Sequence, residues 1–196
     1  MEIEFNAELH EYRWDGRRVP SVTEVLSMLT DWSGVPPALM AAARDLGSHV
    51  HEATHLHDIG NLNRWTLDPV LDGYLRGWER FLEETGAVVV ASEQPVYHPK
   101  LKYAGTPDRV LWWKDRFVVP DLKSTAAVPT TVGAQTAAYT EAYCEMFKPS
   151  KKPLRYCIQL NPDGTYKSIR RDDPADWSLF LSALNVHNFK EKHGVK

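Results

Sequence analysis

The sequence is short of several things, and each absence removes a class of protein. Of its 196 residues only two are cysteine, Cys144 and Cys157. That is too few for a disulfide framework or a four-cysteine metal cluster, so both are expected to be buried thiols in a reducing compartment. No apolar run approaches the length needed to span a membrane, and the acidic opening Met1-Glu2-Ile3-Glu4 does not resemble a signal peptide, so the expected location is the cytosol. There is no repeat, no low-complexity tract and no interdomain linker. An excess of positive charge is missing too. With a net charge of −3, any polyanion must be met by a local basic groove or through metal ions.

What is present is the composition of a globular domain, 43% apolar and 25% charged. At this length one domain with one sizeable core is expected. Seven Trp and eight Tyr supply large rings for the core or for stacking on bases.

Residues 3–19 read as a small hairpin with Asp15-Gly16 as the turn. Ser21 and Glu24 have capping-box spacing and open a helix whose apolar stripe is Val22, Val25, Leu26 and Leu29. Further helices are predicted over 38–59, rich in Ala and His, and over 68–85, stopping at Gly86. The run 88–97 reads as the first strand of the main sheet, followed by a hairpin, a helix over 132–147, strands over 154–160 and 166–169, and a last helix over 174–189. This order argues for a mixed α/β or α+β fold.

The most informative stretch is the hairpin, Gly105-Thr106-Pro107-Asp108-Arg109-Val110 followed by Val118-Val119-Pro120-Asp121-Leu122-Lys123. With Lys114-Asp115 as a two-residue loop, Asp108 lies across from Asp121, and Lys123 shares their face by period-2 alternation. Opposed like charges destabilise a sheet unless something binds them. Two carboxylates sharing a divalent cation, with an ammonium beside them, suit hydrolysis of a phosphodiester. The plain alternative is a surface hairpin with solvated charges. Pro120 cannot donate to a ladder, which predicts a bulge or an unpaired position there. On the following helix, Gln135 and Tyr139 are at i and i+4, so they share one face. Glu93, on the preceding strand, is a candidate further acid.

Taken in order, these motifs resemble the PD-(D/E)xK nuclease superfamily. Gly47-Ser48-His49-Val50-His51 and Gln135-Thr136-Ala137-Ala138-Tyr139 narrow the resemblance to the RecB-like branch. Tyr12 to Gly16, followed by Val19-Pro20-Ser21-Val22-Thr23-Glu24, is similar to its phage and mitochondrial-genome-maintenance exonucleases. The resemblance covers about residues 10–145. It implies a restriction-endonuclease-like core, a mixed central β-sheet flanked by helices, with residues 1–86 packed on a catalytic core of 87–196 in a single domain. It also implies a magnesium- or manganese-dependent nuclease acting on DNA, with phage recombination or replication proteins as further partners. Asp108 and Asp121, the Leu122 carbonyl and His51 would then be metal ligands. Lys123 would orient water or the scissile phosphate, and Gln135, Tyr139 and Ser124 would contact substrate. A non-catalytic DNA-binding module on the same fold is the alternative.

One other motif competes. His51-Glu52-Ala53-Thr54-His55 spells HExxH, the zinc-peptidase pattern. It leaves Asp108, Asp121 and Lys123 unexplained, and no third-ligand pattern follows it. Lys100 and Lys102, just before Asp108, are candidate phosphate contacts.

Overall fold

A computed structural model describes the chain except residues 1, 2, 7, 8, 10, 32 and 196. Ten strands and five helices succeed one another as β1 Ile3–Asn6, β2 Glu11–Trp14, β3 Arg17–Val19, α1 Val22–Leu26, α2 Pro37–Asp58, α3 Pro69–Thr85, β4 Val88–Ser92, β5 Val96–His98, β6 Tyr103–Gly105, β7 Arg109–Trp113, β8 Arg116–Lys123, α4 Val132–Phe147, β9 Leu154–Leu160, β10 Tyr166–Arg170 and α5 Ala175–His193. The main sheet has the order β10-β9-β8-β7-β4, with β8 and β9 parallel and the other pairs antiparallel. It is the mixed sheet flanked by helices that the motifs predict. Among the described residues no helix is long and apolar enough to cross a membrane.

Both faces of this sheet are packed. Leu111, Val118 and Leu122 meet Trp78 and Phe81 of α3 and Val50 of α2. On the other face Val110 and Val119 meet α1, α4 and α5 through Val22, Ala138 and Phe180. Burying each such aliphatic side chain contributes roughly 1.5–3 kcal/mol. The alternation decides where the charged residues go. Asp121 and Lys123 follow Val119 towards α4, and Arg109 follows Leu111 towards α2 and α3.

The hairpin forms in the predicted register. Trp113 pairs with Arg116, Trp112 with Phe117 and Leu111 with Val118. Lys114 and Asp115 both have positive φ, 56° and 55°, as a two-residue hairpin turn requires. The ladder then stops, which corrects the expectation that Asp108 and Asp121 are a paired couple. Counting from the turn, position 120 is where an N–H would reach Arg109, and Pro120 has none. Beyond it the Asp108 side chain, in place of a backbone carbonyl, accepts the Leu122 N–H of the facing strand.

Three other expectations change. The N-terminal hairpin is a three-stranded sheet, β1-β2-β3. It is pinned to the Gly-Thr-Pro-Asp segment where Tyr12 Oη lies 2.8 Å from Thr106 Oγ1. The first helix keeps its capping box at Ser21 and Glu24 but gives way to a 3₁₀ turn at Ser27–Leu29. The run 88–97 is two strands: β4 belongs to the main sheet, while β5 pairs with β6 in a separate two-stranded sheet. The corner between them is Glu93, in the left-handed region at φ 51°.

Gly47 lies inside α2, yet a Cβ there would meet only Ser124 Oγ, at 3.8 Å. The helix therefore does not need a glycine to pass the sheet. Gly47→Ala is expected to stabilise the protein by about 0.5–1 kcal/mol, the usual gain over glycine in a helix interior. A urea midpoint that falls instead would show a close approach at this position.

Candidate metal centre

The start of β7 and the end of β8 meet α2 and the β4–β5 corner at one edge of the sheet. Asp108, immediately before β7, uses both carboxylate oxygens. Oδ1 lies 3.2 Å from His51 Nδ1, and Oδ2 accepts the Leu122 backbone N–H at 2.6 Å. Glu93 Oε1 is 4.0 Å from the same His51 nitrogen. Ligand atoms of His51, Glu93 and Asp108 all fall within 4.8 Å of one another, close enough to share one cation. Asp121 stands beside them on β8, 1% exposed. Lys123 Nζ lies 2.9 Å from its Oδ1 and 2.7 Å from Oδ2. Only Oδ1 receives a well-directed hydrogen bond, and Oδ2 is buried without one. That oxygen faces the Lys123 ammonium without a well-directed bond, so it keeps lone pairs with which a further cation could be met. Oxygen-rich donors with one imidazole fit a divalent ion such as magnesium or manganese.

The electrostatics follow from crowding three acids and two bases at a buried edge. Burial works to lower His51, but the Asp108 carboxylate beside it more than reverses this and holds it up at about 9. Burial works to raise Asp108, yet His51 and Lys123 hold it down at about 2, helped by the Leu122 N–H. Burial and the charge of Asp108 push Glu93 up to about 7, against His51 and Arg109. Burial raises Asp121 to about 6, opposed by Lys123 and assisted by Asp108. Burial works to lower Lys123, but Asp121 and Asp108 raise it, so it stays an ammonium.

These shifts set the pH dependence of the metal-free protein. His51 contributes stability that is fully present below 6.5 and lost as pH rises through about 9. Asp121 and Glu93, raised above 3.8 and 4.5, keep protons that the unfolded chain has released, so they also favour folding less as pH rises through about 6 and 7. Asp108 acts oppositely, its contribution being present above 3.8 and lost as pH falls through about 2. In EDTA the urea midpoint is therefore expected to fall between pH 5 and pH 9. A flat or rising midpoint over that range contradicts this electrostatic picture.

Above the carboxylates lies an open cleft of about 580 Å³. Arg44, Ser48, His51 and His55 of α2 form one wall, and Leu122, Lys123 and Ser124 the other. Ser124 is thus at the cleft, as a substrate contact must be. Gln135 and Tyr139 do not line it. Tyr139 is buried, with its hydroxyl 3.4 Å from Gln135 Nε2, and stands behind the site, close enough that burial together with Asp108 and Asp121 raises its pKa well above the ordinary value. Its ring also explains Gly105, where a Cβ would come within 2.4 Å of Tyr139 Cε1.

His51 faces Asp108, and His55 is directed away from it. Its Nδ1 lies 2.6 Å from Ser92 Oγ on β4. The two histidines of the HExxH run are thus directed to different partners. Lys100, a candidate phosphate contact, pairs with Glu145 at 2.8 Å and does not line this cleft.

Sequence reasoning missed Arg109 altogether. It is fully buried, its Nε bonded to Asp58 and its Nη1 3.3 Å from Glu93 Oε1. Glu93 was visible only as a candidate. The polar and proline interruption Ser92-Glu93-Gln94-Pro95 was the available sign that the run 88–97 turns a corner there.

No protein-family model matches the chain, and no curated protein matches it. Among solved structures, it is similar to an alkaline exonuclease (LHK-Exo) from Laribacter hongkongensis, at 14% identity and a TM-score of 0.34, covering 89% of this chain and 92% of that one. It is also similar to LHK-Exo in complex with dAMP, at 16% identity and a TM-score of 0.33, covering 90% and 93%.

Proposed function

We propose that the protein is a divalent-metal-dependent deoxyribonuclease, an exonuclease serving phage recombination, repair or end processing. One observation carries this reading: the His51–Asp108 and Lys123–Asp121 pairs, far apart in sequence, are near enough to act on one another's charge, and His51 and Lys123 line one open cleft. A solvated surface hairpin would leave these charges exposed, and a peptidase would need nothing from the two aspartates.

Asp108, Asp121, Glu93 and His51 would hold the ion, with the Leu122 carbonyl beside them. Bound there, magnesium or manganese would supply Lewis acidity to a phosphate oxygen and lower the pKa of a water. The chain's own residues do the rest. Asp121 anchors the Lys123 ammonium at 2.9 Å, so that its remaining N–H groups orient water or an oxygen of the scissile phosphate. Loss of the His51 proton frees Nδ1 to become a ligand, which ties metal affinity to pH. Ser124 and the facing wall of α2 guide the strand.

Linear and covalently closed circular DNA, end-labelled where ends exist, test this with manganese, magnesium or EDTA. Degradation of the linear form alone, abolished by EDTA, is the expected result. Degradation of both forms would make the enzyme an endonuclease. Degradation of neither, by a folded protein that binds manganese, would favour the non-catalytic DNA-binding module.

A further inference from the structure

Four polar side chains of α2, His51, Thr54, His55 and Asp58, recur at i, i+3, i+4 and i+7 and therefore share one face. All four meet the β4–β7 edge. His51 meets Asp108, His55 meets Ser92, and both Thr54 and Asp58 meet Arg109. The helix docks here through polar contacts, and the HExxH spacing is part of that docking face.

Arg109 is the hub of the arrangement. Its side chain is 0% exposed, and each guanidinium nitrogen has a partner. Nε donates to Asp58, Nη2 to Thr54 Oγ1 at 2.9 Å, and Nη1 to the Asp108 carbonyl at 2.5 Å, with Glu93 Oε1 at 3.3 Å. The guanidinium lies 5.7 Å from the ring centroid of Trp78, whose indole N–H donates to Asp58 at 2.8 Å. Two carboxylates, Asp58 and Glu93, face the buried charge. Nη1 is left aimed at the backbone of one candidate ligand and the carboxylate of another. Among the described residues, Arg109 is the one side chain that hydrogen-bonds the Glu93 carboxylate.

We propose that Arg109 is a positioning residue of the metal centre, holding the Glu93 carboxylate and the Asp108 backbone in the arrangement that a divalent cation requires. This rests on the reading that the centre binds such a cation. Glu93 needs holding, because it sits on a left-handed corner between two strands of different sheets, where neither ladder fixes its side chain. The planar fork is what does it. Lysine carries the same charge but cannot span Asp58, Thr54, the Asp108 carbonyl and Glu93 together.

The test is manganese binding by titration calorimetry on the wild type, Arg109→Lys, Glu93→Gln and the double variant, with circular dichroism as the check on folding. Arg109→Lys is expected to weaken binding about 10–100-fold, the usual range for a group that orients a metal ligand. Glu93→Gln weakens it too, and the double variant loses less than the two single losses combined, because both variants disturb the Glu93 carboxylate while only the contact to the Asp108 carbonyl is Arg109's own. Excess manganese is expected to restore DNA cleavage by Arg109→Lys. A folded Arg109→Lys variant with wild-type affinity, or losses that simply add in the double variant, would overturn the proposal. Where Arg109→Lys does not fold, the nearly isosteric Thr54→Val, which removes only the contact to Nη2, is expected to weaken binding by at least about threefold. Unchanged affinity there overturns it equally. A wild-type protein that binds no manganese refutes the metal-dependent reading itself, whereas a wild type that binds beside an unaffected Arg109→Lys refutes only the role of Arg109.

Discussion

Asp108→Asn is expected to abolish manganese binding and to lower DNA cleavage by about 10³-fold or more, with the fold retained. Both oxygens of Asp108 are committed, one to His51 at 3.2 Å and the other to the Leu122 N–H at 2.6 Å. The amide keeps the shape but removes the negative charge from the middle of the cluster. One of its ends must then present N–H groups either to the Leu122 N–H, setting donor against donor, or to His51 Nδ1, which accepts only as the neutral imidazole. Charge stabilisation by a bound metal is worth several kcal/mol, and each 1.36 kcal/mol is about tenfold in rate, which sets the magnitude. Calorimetric titration with manganese and degradation of linear DNA measure the two losses. Near-normal binding by the variant would mean that the ion sits elsewhere.

The second large effect separates Lys123 from the carboxylates around it. Lys123→Ala is expected to lower cleavage by about 10²–10³-fold, the range for removing one preorganised donor, while manganese still binds. A lysine held as an ammonium by Asp121 and Asp108 has no lone pair for a metal, so its removal takes away no ligand. It does leave Asp121, 1% exposed, without its counter-ion, and stability in EDTA should fall. Bound manganese compensates for that charge, so the comparison of rates belongs in excess metal, with circular dichroism alongside. Asp121→Ala is expected to behave differently and to lose binding and cleavage together. Wild-type cleavage by a folded Lys123→Ala variant would make the Asp-x-Lys spacing a coincidence.

Much of this site was legible in the sequence, and the reason is local. Period-2 alternation put Asp121 and Lys123 on one face, a two-residue loop at Lys114-Asp115 set the hairpin register, and the capping box at Ser21 marked a helix start. Each of these signals lies within a few residues of what it specifies. Pro120 was legible only in part: it announced an unpaired position, but not that the Asp108 side chain would take up the Leu122 N–H beyond it. The corner at Glu93 was hidden because Val88-Val89-Val90-Ala91 and Val96-Tyr97 have one β-rich character, although they join different sheets. The Arg109–Asp58 pair was hidden for a different reason. Its partners are 51 positions apart, and a buried ion pair between a helix and a strand leaves no periodic trace in either.

The most direct test is where manganese goes. Diffraction from crystals grown with manganese, recorded so that the metal's anomalous signal is seen, locates the ion without reference to activity. The account predicts a peak with carboxylate oxygens of Asp108 and Asp121 about 2.0–2.6 Å away, allowing for the range of hard divalent cations, and with His51 and Glu93 on the same side of the cleft. A peak held by His51 and His55 away from the two aspartates, or none at saturating manganese, would contradict it.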